Sequence, residues 1–367
     1  MVSNMARESR AAATVPRRSQ LRYNYHTGRS ETKLGGTDRT QSQDQFTSSI
    51  DEFNRSNYRL PRLYVGAAVE GPVVHHSFGA LVDPDPSKVA PVLSQGASIP
   101  LSSEQSHFLT NVLRLFKKEN VSSARLFDGI SGEWLTVLKL EQEASKKQRG
   151  IVVALCMEEW RKKQAENGKS WLCIAPPRKK ERLRWLMEKT TELNVHGFVF
   201  VESDHGKNPE LPPVSKLNAH LLEAAEQCER LDLPQVCIVA QNKAERTKVK
   251  EATLYTSLDE FFTVWAASDT KPALFICRER RNAHSIWNAL MENSKADSSS
   301  SVAFLIGPEG GWSLQEETKM DELEAQFPGY VWNVSLGPTI LRVETAAITA
   351  MAAYTLFQDY QNKEKQL

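Results

Sequence analysis

Two segments near the carboxyl end carry glycines in the arrangement that lets a backbone approach a ligand. In Phe304-Leu-Ile-Gly-Pro-Glu-Gly-Gly-Trp-Ser-Leu-Gln-Glu316 an apolar run enters Gly307-Pro-Glu-Gly-Gly311, and Ser313 with Glu316 has the capping-box spacing that starts a helix. Thirty residues on, the run Val331-Trp-Asn-Val-Ser-Leu336 passes through Gly337-Pro338 and Ile340-Leu-Arg-Val-Glu-Thr345 into another helical pattern. Strand, tight bend and helix start together make a ligand-binding geometry, although many α/β proteins use such glycines only to turn. No Gly-Lys-Ser/Thr follows either bend, and neither is Gly-x-Gly-x-x-Gly, so phosphate-loop and Rossmann dinucleotide chemistry lose ground and a different adenosine cofactor fits better.

Metal chemistry finds no support. Cys156, Cys173, Cys228, Cys237 and Cys277 form no Cys-x-x-Cys and have no histidine at ligand spacing, so they read as reduced core thiols. The histidines form no His-Glu-x-x-His, and His75-His76 fall in an irregular segment where a surface place is expected.

The bends need a frame, and strand-like and helix-like segments alternate to give one. Strands are expected over 171–175, 197–201, 273–277, 302–306 and 332–336, with helices over 181–193, 215–230, 283–291, 314–325 and 344–357. This alternation predicts an α/β domain with a mostly parallel sheet and helices on both faces, placing both bends at the carboxyl edge where such sheets bind ligands. In the first helix Leu183, Leu186, Met187, Thr190 and Leu193 share one face and should be core. Asn293 to Ser301 is expected to be a loop.

Upstream the texture differs. A helical spacing covers 104–116, and short alternating runs at 124–127, 134–138 and 150–155, with Asp128-Gly129 as a turn, predict a small, mostly β domain. The expected organisation is a disordered or targeting extension over 1–59, the β domain over 60–160 with an insertion near 66–95, a charged linker over 161–169, and the α/β domain over 170–367. A chain of 367 residues suits two folded units plus less ordered segments. With 40% apolar residues, 25% charged residues and net charge +1, it reads as globular, and no apolar run reaches the roughly 18 residues of a membrane span. Charge alone names no partner. Arg7, Arg10, Arg17, Arg18, Arg22 and Arg29 face only Glu8, a start that resembles an organelle transit peptide for mitochondrion or chloroplast, the alternative being a solvated basic tail on a cytoplasmic protein.

The two bends taken together resemble the RsmE-type small-subunit ribosomal RNA (uracil-3-)-methyltransferases of the SPOUT superfamily. Ile306-Gly-Pro-Glu-Gly-Gly311 and Leu336-Gly-x-x-Ile-Leu-Arg-x-Glu-Thr-Ala346 correspond to that family's two hallmark motifs. Arg182-Leu-Arg-Trp-Leu-Met-Glu-Lys-Thr-Thr-Glu-Leu193, Glu223-Ala-Ala-Glu-Gln-Cys-Glu-Arg230, Leu60-Pro-Arg-Leu-Tyr64 and Leu126-Phe-Asp-Gly129 extend the likeness from about Leu60 to the end.

The resemblance implies a PUA-like β-barrel that helps hold RNA, followed by a trefoil-knotted SPOUT α/β domain that binds S-adenosyl-L-methionine and works as a homodimer on small-subunit ribosomal RNA or the small ribosomal subunit. Carried over by motif, Leu305, Ile306, Gly307, Gly311, Leu336, Gly337 and Leu341 should line the adenosyl pocket, chiefly through backbone groups. The sulfonium is already activated, so alignment and charge stabilisation as the uracil imide loses its proton suffice without a metal. Arg342 is the candidate for holding the uracil oxygens or a flanking phosphate, against a structural salt bridge. Glu344 and Glu309 are candidates for orientation or proton transfer. Arg178, Lys179, Lys180, Arg182 and Arg184 are candidates for tracking RNA phosphates, against a solvated helix start. Trp312 is expected to pack in the core and not to stack on a base. The family usually has arginine where this chain has Thr339, which leaves a second reading open: a non-catalytic RNA-binding ribosome-assembly factor that keeps the fold.

Overall fold

The computed structural model describes residues 57–66, 73–75, 93–117, 120–141, 150–163, 169–206, 208–239, 254–269, 271–278, 283–296 and 301–364. These residues belong to one compact unit, Ser56–Leu367. The extension expected over 1–59 lies outside the described residues except for its last three positions.

The first sheet is built from β1 (Arg62–Tyr64), β3 (Ser98–Pro100), β4 (Val121–Phe127), β5 (Glu133–Glu141) and β6 (Ile151–Arg161), in the order β1-β4-β5-β6-β3. Only β1 and β4 run parallel; the other neighbours are antiparallel. Alternation explains its core, since Ala124 and Leu126 on β4 and Val152, Ala154 and Cys156 on β6 all point inward onto Leu109 and Leu138. The helix expected over 104–116 is shorter: α1 (Ser103–His107) widens into a π-helical turn at Phe108–Val112, and Arg114 then takes a left-handed φ of 55°.

The second sheet holds β2 (Val73–His75), β7 (Ser170–Ile174), β8 (Gly197–Val201), β9 (Gln235–Val239), β10 (Tyr255–Thr256), β11 (Ala273–Cys277), β12 (His284–Ser285), β13 (Val302–Ile306) and β14 (Val331–Ser335). Its order is β12-β14-β11-β13-β7-β8-β9-β2, with β10 beside β8, and every pairing is parallel. The expected insertion thus lends a strand, β2, to this sheet, and His75 belongs to that strand; His76 lies outside the described residues.

Seven helices are described: α1, then α2 (Lys180–Glu192), α3 (Val214–Gln227), α4 (Leu258–Ala267), α5 (Ile286–Ala296), α6 (Leu314–Gln326) and α7 (Val343–Glu364). Leu172, Phe198, Phe275 and Phe304 face α2, α3, α5 and α7, while Trp171, Val199, Ile276 and Leu305 face α4 and α6. Both faces are covered, which is why β7, β8 and β13 are buried along their whole length and are apolar apart from Ser170. Of the predicted core face of α2, Leu183, Leu186, Met187 and Thr190 are buried, while Leu193, at the helix cap, is only partly buried against the same cluster. The loop expected at Asn293 to Ser301 is corrected, because α5 continues through Ala296; residues 297–300 lie outside the described residues. No described helix is long and apolar enough to cross a membrane.

A buried ion cluster joins the small sheet to the carboxyl end of α3. Glu133, with no exposed surface, meets Arg62 Nε at 2.5 Å, Arg161 Nε at 2.5 Å and Arg125 Nη1 at 3.5 Å. Arg125 continues to Glu229 at 2.9 Å. Arg62 also donates to the Ala225 carbonyl at 3.1 Å, which the Arg230 amide reaches too, and Arg161 donates to the Glu229 carbonyl at 2.9 Å, so guanidinium groups gather at the negative end of the helix. Burial pulls the Arg62 guanidinium below its ordinary range, with the Glu133 charge opposing. Arg161, expected to open a linker, is instead the last residue of β6 and part of this cluster.

Candidate active site

Both glycine bends stand at the carboxyl edge of the second sheet. Ile306 and Val334 each pair with Cys277 of the intervening β11, so the bends begin one strand apart. Two strand spacings of about 4.8 Å put them roughly 10 Å from each other. The Ala175 amide donates to the Ile306 carbonyl at 3.0 Å and the Arg278 amide to the Val334 carbonyl at 3.0 Å, which carries the ladder into the neighbouring loops.

Each bend is fixed by local chemistry. After β13, the Gly311 amide closes a turn on the Pro308 carbonyl at 2.9 Å, with Gly311 at φ 74°. Ser313 and Glu316 form the expected capping box, and Glu316 also accepts the Asp204 amide at 3.0 Å while the Ser313 hydroxyl donates to Asp204 at 2.6 Å. The turn after β8 therefore presses on the first bend. A Cβ on Gly310 would lie 3.1 Å from His205 Cβ, which accounts for glycine there. At the second bend Gly337 has φ 138°, and its amide meets Ser335 Oγ at 3.3 Å.

The residues expected to line the pocket divide by position. Leu305 and Ile306 bury their side chains on opposite faces of the sheet and reach the edge only through backbone. Leu336 and Leu341 pack partly buried against the larger cluster. Gly311 and Gly337 are exposed, and nothing lies within 4 Å of where their Cβ atoms would be, so both present open space. Gly307 is different: a Cβ would come 2.7 Å from Trp312 Nε1 and 2.8 Å from Cε2. Trp312 lies over this glycine and joins the apolar cluster under α6, as expected of a packing residue, with Nε1 buried and without a hydrogen-bond partner.

The three candidate catalytic residues meet different fates. Arg342 is exposed, and its side chain makes no ion pair or hydrogen bond among the described residues, so the salt-bridge alternative has no partner there. Glu309 is bound by Arg182 Nη1 at 2.7 Å, and Glu344 lies 3.6 Å from Arg182 Nε. Glu344 is 6% exposed, and its Oε2 is buried with no donor reaching it among the described residues.

The basic group does not act as one stripe. Arg178 and Lys179 are exposed, with no ion pair among the described residues, whereas Lys180 lies 3.7 Å from Glu210. Arg182 is committed to Glu309 and Glu344, and Arg184 to Glu188 at 2.6 Å and Glu223 at 3.4 Å. Glu188, His220 and Glu223 bring three potential metal-ligand atoms within 4.8 Å, but the Arg184 guanidinium already answers both carboxylates. Burial, then Arg184, lowers the His220 pKa. Sequence reasoning missed Asp204 and the bridging place of Arg182, since neither has a local signature. Thr339 is exposed.

Residues 164–355 match the family described as RNA methyltransferase domain. The chain is 26% identical over 265 residues to the Ribosomal RNA small subunit methyltransferase E of Rickettsia conorii, covering 72% of this chain and 92% of that protein. It is 23% identical over 273 residues to the protein of the same name from Bacillus subtilis, covering 71% and 91%. Among solved structures it resembles a Ribosomal RNA small subunit methyltransferase E from Neisseria gonorrhoeae bound to S-adenosyl methionine, with a TM-score of 0.52 and 20% identity over 82% of this chain and 98% of that one. At that identity the structural likeness establishes the fold.

Proposed function

Because the chain belongs to the RNA methyltransferase domain family, we propose that it methylates ring nitrogen 3 of a uridine in small-subunit ribosomal RNA, with S-adenosyl-L-methionine as donor. One observation carries this reading: two bends one strand apart, with open space beside Gly311 and Gly337 where any other residue would place a Cβ. That space, at the carboxyl ends of the strands, fits an adenosyl group held by main-chain hydrogen bonds. Main-chain groups of the two bends would hold the donor, whose sulfonium would supply an activated methyl group for the base nitrogen.

The protein's own groups do the rest. Arg342, whose side chain has no partner among the described residues, meets the uracil oxygens and stabilises the negative charge that grows as the imide proton leaves. Glu344 Oε2 takes the imide proton as general base, which frees the N3 electron pair for the methyl group, and Glu309 supports the first bend. Arg178 and Lys179 meet RNA phosphates.

The reading includes a PUA-like barrel for the first sheet and a trefoil-knotted passage for α7. The second is supported by the return of α7 from the edge of the sheet to its middle, where Thr355 donates to the Leu193 carbonyl at 2.9 Å and Tyr354 meets Phe304 edge-on. A homodimer is supported by the exposed Trp287, Leu356 and Tyr360 on α5 and α7. The Arg-rich start supports delivery to mitochondrion or chloroplast.

The test is transfer of labelled methyl to small subunits from bacteria that lack their own enzyme of this family, with the product located by nuclease digestion. Label on uridine N3 is expected; no transfer by protein that still folds refutes the reading. The assembly-factor alternative rests on Thr339 and is separated by calorimetry, since such a factor need not bind the donor.

A further inference from the structure

Arg182 reaches both bends from a third element. It sits in the first turn of α2, yet its Nη1 holds Glu309 of the first bend at 2.7 Å and its Nε lies 3.6 Å from Glu344, at the start of the helix that follows the second. The guanidinium is divided between two carboxylates on two loops, and one oxygen of the more buried carboxylate, Glu344 Oε2, receives no bond. A buried acceptor without a donor is unfavourable by about 1–3 kcal/mol, a cost that a ligand group supplying the donor would relieve. A phosphate contact through Arg182 Nη1 or Nε would compete with Glu309 at 2.7 Å and with Glu344 at 3.6 Å. Its side chain is only 28% exposed, which also argues against an open phosphate site.

We propose that Arg182 is a positioning residue for methyl transfer, tying Glu344 to Glu309 so that Glu344 Oε2 is held ready for the N–H of the target base. This inference rests on the function proposed above and adds a part to it. The clamp acts through Glu344 and does not touch the donor, so it governs the geometry of the reacting base and not the affinity for either substrate. Lysine in its place keeps the charge but has no fork, and so holds one acid at a time.

The experiment compares full-length wild type, Arg182→Ala and Arg182→Lys by donor calorimetry, by steady-state methyl transfer to small subunits, and by thermal midpoint. A misplacement of about 1 Å costs on the order of a hundredfold in rate, so Arg182→Ala is expected to lose roughly ten- to a hundredfold in kcat, with Arg182→Lys between it and wild type. Donor Kd and subunit KM should stay within about threefold of wild type, and because partly exposed ion pairs contribute only about 0–1 kcal/mol, the thermal midpoints should nearly coincide. A rise in KM at unchanged kcat would make Arg182 a phosphate ligand and overturn the clamp. Equal loss of donor affinity and kcat, or unchanged kinetics in both variants, would overturn it as well. Wild-type protein that binds donor but methylates no subunit would instead sink the underlying functional reading, and the clamp with it.

Discussion

Replacing Gly337 with alanine separates a strained backbone from a blocked ligand. Gly337 has φ 138°, which L residues rarely adopt, so Gly337→Ala should lose about 1–3 kcal/mol of stability. Nothing lies within 4 Å of the added methyl, so no internal clash adds to that figure. The methyl does enter the space assigned to the adenosyl group, and donor affinity should fall at least about tenfold, equivalent to roughly 1.4 kcal/mol. Gly329 is the natural control. It has φ 82° and equally open surroundings, but precedes β14 and so stands at the opposite edge of the sheet. Gly329→Ala should therefore lose comparable stability in urea titration while binding the donor normally by calorimetry. Wild-type affinity in Gly337→Ala, or equal affinity losses in the two variants, would refute the placement of the pocket.

Glu133→Ala should destabilise the protein by about 3–5 kcal/mol in urea titration, because three guanidinium groups lose a fully buried partner; a loss under about 1 kcal/mol would show that the cluster is not what joins the sheet to α3. Arg342→Ala should lower turnover far more than donor affinity, since that side chain is assigned to the base; equal loss of both contradicts the assignment. Burial pushes the phenols of Tyr64 and Tyr354 up to about 12, with the Asp128 charge adding to the effect at Tyr64. The folded state then keeps protons that an unfolded chain releases near pH 10, so this stabilisation is complete below about pH 10 and disappears as pH rises toward 12. Ultraviolet titration of the phenolates in Tyr64→Phe and Tyr354→Phe should remove one late-titrating group each; titration of either group near 10 contradicts the burial argument.

Local chemistry made the bends legible in one dimension. Apolar runs buried on both faces marked β8, β11 and β13, and Ser313 with Glu316 announced the start of α6. The same signals were available for α4, where Ser257 accepts the Glu260 amide ahead of Phe261, Phe262 and Trp265, and for the apolar β9; both fall in a stretch that the strand–helix alternation passed over. What no local pattern carries is the meeting of distant side chains. Arg182 and Glu309 are 127 positions apart, and within its own segment Arg182 is one more cation at a helix start. The ion cluster around Glu133 was hidden for the same reason, since its charges come from β1, β4, β5, β6 and the end of α3. Charge sign survives in a sequence, but pairing does not.

The central claim is that one adenosyl group lies between the bends beginning at Gly307 and Gly337. A crystal structure of the protein grown with S-adenosyl-L-methionine tests it most directly. Donor density bounded by Gly311 on one side and Gly337 on the other, hydrogen-bonded to main-chain atoms of those loops, is the predicted result. Donor density seated anywhere else, with the space between the two bends left to solvent, would contradict the account.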